Sequence, residues 1–300
     1  MDFHNNQKDM LLLEETEYSA LRELCEKFLP GSVVLFNMMS IKKAKLPLEV
    51  FVDHWPNPTV VVVRSMCRWG NFSDYPVICA FSLYGTLGQI AATNVVVRSI
   101  FRDTCKAYSG FILNYWPLAA VDTLREAVKE IEEGSFEVIS FGSTRMFWIP
   151  PVDYEKLYIT EPALPEGFHF DELQPEEAEL VDSLWVHRFD GSVDHVRRFI
   201  STMPNVCVRN SDGKLAGFSM VHDLMGNEVH LYTMPEYRGR KLAFNIELIL
   251  ARKMLLSNLL PCKYVVPSNY EAMQMAVNSP FWKEINEEFA WLRVHKKAAN

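Results

Sequence analysis

The segment Thr233-Met234-Pro235-Glu236-Tyr237-Arg238-Gly239-Arg240-Lys241-Leu242-Ala243 constrains this chain more than any other. A β-rich run stops at a proline, a basic turn carrying a glycine follows, and an apolar stretch with helical spacing begins. A helix entered this way keeps its first backbone N–H groups unpartnered, with the positive end of its dipole behind them. Such a turn holds an anion without needing any particular side chain. The segment therefore predicts a strand, turn and helix in immediate succession, and a ligand that carries phosphate.

The rest of the second half can be read around that unit. Pro175 suits the first turn of a helix bearing Ala178, Val181, Leu184 and Trp185, and Ser192 is placed to cap another bearing Val193, Val196, Phe199 and Ile200. Val206–Arg209, Leu215–Asp223 and Glu228–Met234, separated by Ser211-Asp212-Gly213 and Met225-Gly226-Asn227, predict a three-stranded antiparallel meander. After the basic turn come a helix over Leu242–Ser257, a strand over Lys263–Val266, a helix over Glu271–Asn278 and a strand over Phe289–Val294.

The first half is less regular. Helical spacing of Tyr18, Leu21, Leu24, Cys25 and Phe28 predicts a helix from Leu11 to Leu29. Ser32–Met38, Val50–Asp53, Thr59–Arg64 and Val77–Tyr84 predict strands, as does Phe136–Ile149 with a bend at Gly142-Ser143. Thr123 and Glu126 have capping-box spacing before a helix with the stripe Leu124, Val128, Ile131, closed at Gly134. Prolines at 150, 151, 162 and 165 interrupt this pattern and predict domains at 1–150 and 165–300.

Composition narrows the function. An apolar content of 49% over 300 residues supports sizeable cores, and a net charge of −8 argues against a nucleic-acid partner. Lys42-Lys43-Ala44-Lys45, the densest basic run, reads as a solvated loop. The six cysteines form no CxxC pair and read as reduced structural thiols, and no histidine spacing suggests a metal. No apolar window is long enough to span a membrane, and the first residues lack the character of a secretory leader or transit peptide. The expected compartment is the cytosol, with a mitochondrial location also open.

Several segments, in order, carry a resemblance: Val52-Asp53-His54-Trp55-Pro56 with Thr59-Val60-Val61-Val62, Phe199-Ile200 leading to Met203-Pro204, Asp223-Leu224-Met225, Thr233 through Arg238, and Ser268-Asn269-Tyr270-Glu271-Ala272-Met273. Together they resemble the glycine N-acyltransferase family, within the Gcn5-related N-acyltransferases. The resemblance covers most of the chain. It implies a mixed α/β fold of tandem acyl-CoA N-acyltransferase-like domains, with the N-terminal one degenerate. It also implies acyl-CoA as co-substrate, glycine or another small amino acid as acceptor, and no metal.

By the same resemblance, the main chain at Leu231, Tyr232 and Thr233 would pair with the pantetheine arm. Arg238, Gly239, Arg240, Lys241, Leu242, Ala243 and Phe244 would hold the pyrophosphate, and Asn269 would bond the CoA arm or, more simply, cap a helix. Lys241 departs from the pattern, standing where a glycine is usual. Glu228 is the expected catalytic base, although ungapped counting from Pro235 lands on Asn227 unless a bulge absorbs the slip. His230, expected on the same face, is the alternative base. Two other readings stay open: a non-catalytic binder of CoA or of a protein, and a lysine or polyamine acetyltransferase.

Overall fold

The computed structural model describes residues 11–41, 47–66, 75–83 and 95–298. In chain order its strands are β1 (Leu11–Leu12), β2 (Leu48–Val52), β3 (Val60–Ser65), β4 (Val77–Ser82), β5 (Gly110–Pro117), β6 (Phe136–Trp148), β7 (Phe168–Asp171), β8 (Asn205–Asn210), β9 (Leu215–Val221), β10 (Glu228–Thr233), β11 (Cys262–Val265) and β12 (Lys283–Lys296). Its helices are α1 (Tyr18–Cys25), α2 (Val33–Ser40), α3 (Val95–Tyr108), α4 (Val121–Lys129), α5 (Tyr154–Ile159), α6 (Ala178–Ser183), α7 (Ser192–Thr202), α8 (Leu242–Leu256) and α9 (Tyr270–Val277).

The chain forms two compact units, each discontinuous in sequence. One takes the described residues of Met1–Ser32, Pro47–Thr144 and Asn286–Asn300; the other takes those of Val33–Leu46 and Arg145–Ile285. The proline-marked limits 1–150 and 165–300 are contiguous instead. Prolines report where the backbone is irregular, and carry no information about which unit a distant strand joins.

In the first unit the strand order is β1-β2-β3-β4-β5-β12, antiparallel except for the parallel pair β4/β5. In the second it is β7-β8-β9-β10-β11-β6, antiparallel except for β10/β11. The two orders match step for step: an antiparallel run, a helical crossover to a parallel neighbour, and an antiparallel sixth strand. This is a mixed α/β fold built twice.

Burial explains the helices. α3 encloses Val97, Ile100, Phe101 and Cys105, one face of a 3.6-residue period, against Val62, Ile78, Phe111 and Leu113. α4 does the same with Leu124 and Val128. In the second unit Val196, Phe199 and Ile200 of α7 join Ile246 and Leu250 of α8 in a cluster with Phe218 and Met220 of β9.

Several expectations are corrected. Ser32–Met38 is no strand: α2 occupies Val33–Ser40 with every residue from Val33 to Met39 buried. A helix enclosed on all sides shows no apolar periodicity, so its β-branched start reads as strand. The N-terminal helix begins at Tyr18, because Leu11 and Leu12 pair with Val52 and Phe51. Thr123 lies inside α4, whose cap position is Ala120. Ser192 is the first residue of α7 after Gly191 at φ 84°, and its hydroxyl bonds Asp182 and the Phe189 N–H. The meander gains a fourth strand, β7, and the sequence reading missed α3 and β5 altogether.

Lys42 through Lys45 and Cys67 lie outside the described residues. Cys25, Cys79, Cys105, Cys207 and Cys262 are buried and form no disulfide among the described residues. Among the described residues no helix is long and apolar enough to cross a membrane. In the first unit Asp53 fastens its turn by accepting the N–H groups of Thr59 and Val60 at 2.9 and 3.2 Å. Burial works to raise its pKa, but the Thr59 hydroxyl and these N–H groups outweigh it and hold the carboxyl below its usual range.

Candidate active site

The second unit's parallel pair is a fork. β10 and β11 share one register position, Glu228 with Lys263, and no further pair joins them among the described residues. On its other side β10 stays attached to β9 from Glu228, opposite Val221, to Thr233, opposite Gly217. The register slips between Val229 and Tyr232, and His230 takes the left-handed conformation at φ 61°. This is a β-bulge, which adds a residue, sharpens the local twist and re-aims the side chains around it. The stretch Val229–Thr233 is thereby left with an unpaired edge beside the fork.

The bulge also separates Glu228 from His230. Glu228 is enclosed at 3% exposure on the α8 face of the sheet, where its Oε1 accepts the Ser219 hydroxyl at 3.1 Å. Beside it Lys263 pairs with Glu247 of α8, and the Trp282 indole N–H donates to Glu247 Oε2 at 3.0 Å. The Lys263 ammonium also lies 4.5 Å from the centre of the Trp282 ring. Burial, reinforced by Glu247, pushes the Glu228 pKa up to about 8 against the pull of Lys263 and Ser219. Its Oε2 is buried with no hydrogen-bond partner among the described residues.

His230 turns to the α7 face. Its ring centre is 4.6 Å from that of Trp185 and 4.3 Å from that of His222, which in turn is 4.7 Å from His195 of α7. The expectation that Glu228 and His230 share a face is therefore corrected, since one inserted residue inverts the alternation of a strand. Both ring nitrogens of His230, and Nε2 of His222 and of His195, are buried without hydrogen-bond partners among the described residues. Burial drives these imidazoles neutral: His230 falls to about 3, His195 to about 4 and His222 well below its usual value.

The basic turn follows Thr233. Gly239 at φ 75° and Lys241 at φ 60° are both left-handed, and the first intrahelical bond runs from Asn245 N–H to the Lys241 carbonyl. The N–H groups of Leu242, Ala243 and Phe244 thus precede the helical ladder, and the side chain of Lys241 at the cap position does not bond them. Lys241 adopts the backbone that a glycine would adopt freely. The Asn245 amide clasps the Ala163 backbone and the Lys241 carbonyl, fixing the helix entry.

Arg238 folds back to donate to the Thr233 carbonyl at 3.1 Å and lies 5.7 Å from the Tyr232 ring centre. Arg240 rests on Phe168 and Tyr237 at 5.6 and 5.8 Å. Leu231, Tyr232 and Thr233 are half-buried along the open edge.

Asn269 caps α9, its Oδ1 accepting the Ala272 N–H at 3.2 Å. Asn227, where ungapped counting landed, is fully enclosed and ties its N–H and side chain to Asp223. His187 and Arg188 are exposed. Among the described residues no His, Cys, Asp and Glu group is arranged to hold a metal.

The sequence reading missed Ser219, Glu247, Lys263, Trp282, Trp185, His222 and His195. Two of them carried a usable signal: Glu247 stands within an apolar helix and Lys263 opens an apolar strand, and charges are seldom so placed unless paired.

No protein-family model and no curated protein matches the chain. Solved structures do. A Drosophila protein superposes with a TM-score of 0.72 at 14% identity, over 95% of this chain and 97% of its own. A tandem GNAT protein from the clavulanic acid biosynthesis pathway gives 0.55 at 12%, over 97% and 99%. An acetyltransferase assigned in Pyrococcus horikoshii gives 0.54 at 12%, over 99% and 93%. At such identities the likeness is one of fold: this chain has the tandem Gcn5-related N-acetyltransferase fold.

Proposed function

We propose that this protein is an acyl-CoA-dependent N-acyltransferase that conjugates an acyl group to the amine of glycine or another small amino acid. The observation that carries this reading is the fork, where β10 leaves β11 after a single pair and its unpaired edge leads from the unpartnered N–H groups of α8. An extended donor arm can add to such an edge as a strand would, with its diphosphate at the helix N-terminus. The tandem acetyltransferase fold supports the donor, and the ordered glycine N-acyltransferase-like segments support the acceptor.

Gly239 through Phe244 offer backbone N–H groups to the diphosphate, and Arg238 and Arg240 add charge. Leu231, Tyr232 and Thr233 pair with the pantetheine arm, and Asn269 borders it. An N–H of the bulged stretch meets the thioester oxygen as the tetrahedral adduct forms. Glu228 and His230 are the titratable groups flanking the reacting centre.

A thiol-release screen crossing acetyl-, benzoyl- and longer acyl-CoAs with glycine, other amino acids, a polyamine and a lysine peptide tests this. Turnover with an amino acid is expected. Turnover with only the polyamine or peptide would move the acceptor to another class.

The enclosure of Glu228 favours a second reading, a CoA binder without turnover. Under it CoA raises the melting temperature while no pair in the screen releases thiol.

A further inference from the structure

The geometry points to Glu228 as the acid of the reaction, a protonated carboxyl that gives its proton to the sulfur of the departing thiol. This rests on the acyl-transfer reading and reverses the direction in which the sequence expected Glu228 to work.

Glu228 stands at the one pair that closes the fork, so a thioester lying along the open edge of β10 ends against it. The groups facing it are few. Ser219 on β9 bonds its Oε1, Glu247 reaches it from α8, and Lys263 and the buried thiol of Cys262 approach from β11. Lys263 is already paired with Glu247. Two carboxyls and one ammonium are thus enclosed together, and the cluster is neutral only when one carboxyl holds a proton.

Trp282 and Lys263 satisfy Glu247, while the Oε2 of Glu228 has no partner among the described residues and is the natural place for that proton. Burial, with Glu247 beside it, pushes its pKa up to about 8, so the acid form prevails near neutral pH. His230, which the bulge turns to the opposite face, does not compete for this position.

The chemistry balances. The amine nitrogen bonds to the thioester carbonyl carbon, and the C–S bond of the adduct breaks. The sulfur takes the Glu228 proton and leaves as free thiol. The surplus proton on nitrogen passes to water along the half-buried edge of β10, and Glu228 is reprotonated from water once the products leave.

The test is the pH profile of kcat/KM for thiol release, expressed per concentration of the uncharged amine so that the acceptor's own titration drops out, using the acyl-CoA and amine that turn over best. The wild type is expected to lose rate as pH rises through about 8, because an acid must be protonated to act. Glu228→Gln, which mimics the protonated form in shape, should lose that limb, fall at least about 100-fold in rate and bind CoA within twofold of wild type by calorimetry. Ser219→Ala, which removes a hydrogen bond that lowers the pKa, should move the limb to higher pH.

A rate that climbs through that range and loses its pH dependence in Glu228→Gln would make Glu228 a base and overturn the proposal. So would a wild-type profile with no falling limb, however the variants fold. Absence of CoA binding by the wild type overturns the donor reading itself, whereas CoA binding and turnover without the falling limb overturn the acid alone.

Discussion

In the first unit the parallel strands β4 and β5 are joined at three register positions, Val77 with Ile112, Ile78 with Leu113 and Cys79 with Asn114. In the second, β10 and β11 are joined at one. The strand orders are the same, so topology does not decide which unit opens. Local chemistry does. β4 runs in unbroken register with β3 over six pairs, and its residues from Val77 to Phe81 are buried and almost wholly apolar. β10 carries a bulge on its β9 side and meets three enclosed ionisable side chains, Glu228, Glu247 and Lys263, at its start. A bulge twists a strand away from its neighbour, and enclosed charges have to be arranged around one another. One copy of the architecture is closed by side-chain packing, and the other is held open beside a buried ionic cluster.

The largest effect that would break this comparison is expected at Lys263. Lys263→Met leaves Glu247 and Glu228 enclosed without a cation, costing about 3–5 kcal/mol, the range for removing one partner of a buried pair. Denaturant unfolding checks this. A loss below about 1 kcal/mol would mean that the cluster does not hold the fork.

Binding stoichiometry comes next. Calorimetry should give one CoA site per chain, and Arg238→Ala with Arg240→Ala should weaken it about 10–100-fold, the scale of one or two charge-assisted contacts. Two equivalent sites would show that the first unit also opens.

The third expectation is pH-dependent. His195, His222 and His230 have depressed folded pKa values, so the unfolded chain binds their protons first. Their contribution is full above about 6.5, the unfolded value, and is lost as pH falls toward 4 and 3, with a slope of at most about 1.4 kcal/mol per pH unit per histidine. Glu228 works in the opposite sense: its raised pKa makes its contribution full below about 4.5 and lost as pH rises toward 8. Unfolding titrations of His222→Leu and Glu228→Gln should flatten the acid and alkaline sides respectively. Parallel curves for wild type and variants would sink both assignments.

The smallest effect is at Lys241. Lys241→Gly relieves a left-handed conformation worth about 1 kcal/mol and should raise the melting temperature by a few degrees. A fall in melting temperature would show that the lysine side chain holds the turn.

The sequence made the second half legible because its elements are amphipathic and its turns carry recognisable residues. The meander, α8, β11 and α9 all fall within a few residues of where periodicity and turn chemistry set them. The first half was less legible for a physical reason. α2 is buried on every side, and β5 is buried along its whole length, so neither shows the contrast between faces that marks an element.

The candidate site divides the same way. The basic turn could be read directly because its function lies in the backbone of consecutive residues. The fork could not, because it depends on β11 failing to follow β10, and on Ser219, Glu247 and Trp282 converging from three separate elements.

By itself the amino-acid order determined a strand, a glycine-bearing turn and a helix with free N–H groups, since these follow from local backbone preference. Only the tertiary structure decided that Glu228 and His230 part to opposite faces and that burial pushes the Glu228 carboxyl toward its protonated form. Both facts arise from a register slip and from the desolvation of charges distant along the chain, which no local pattern encodes.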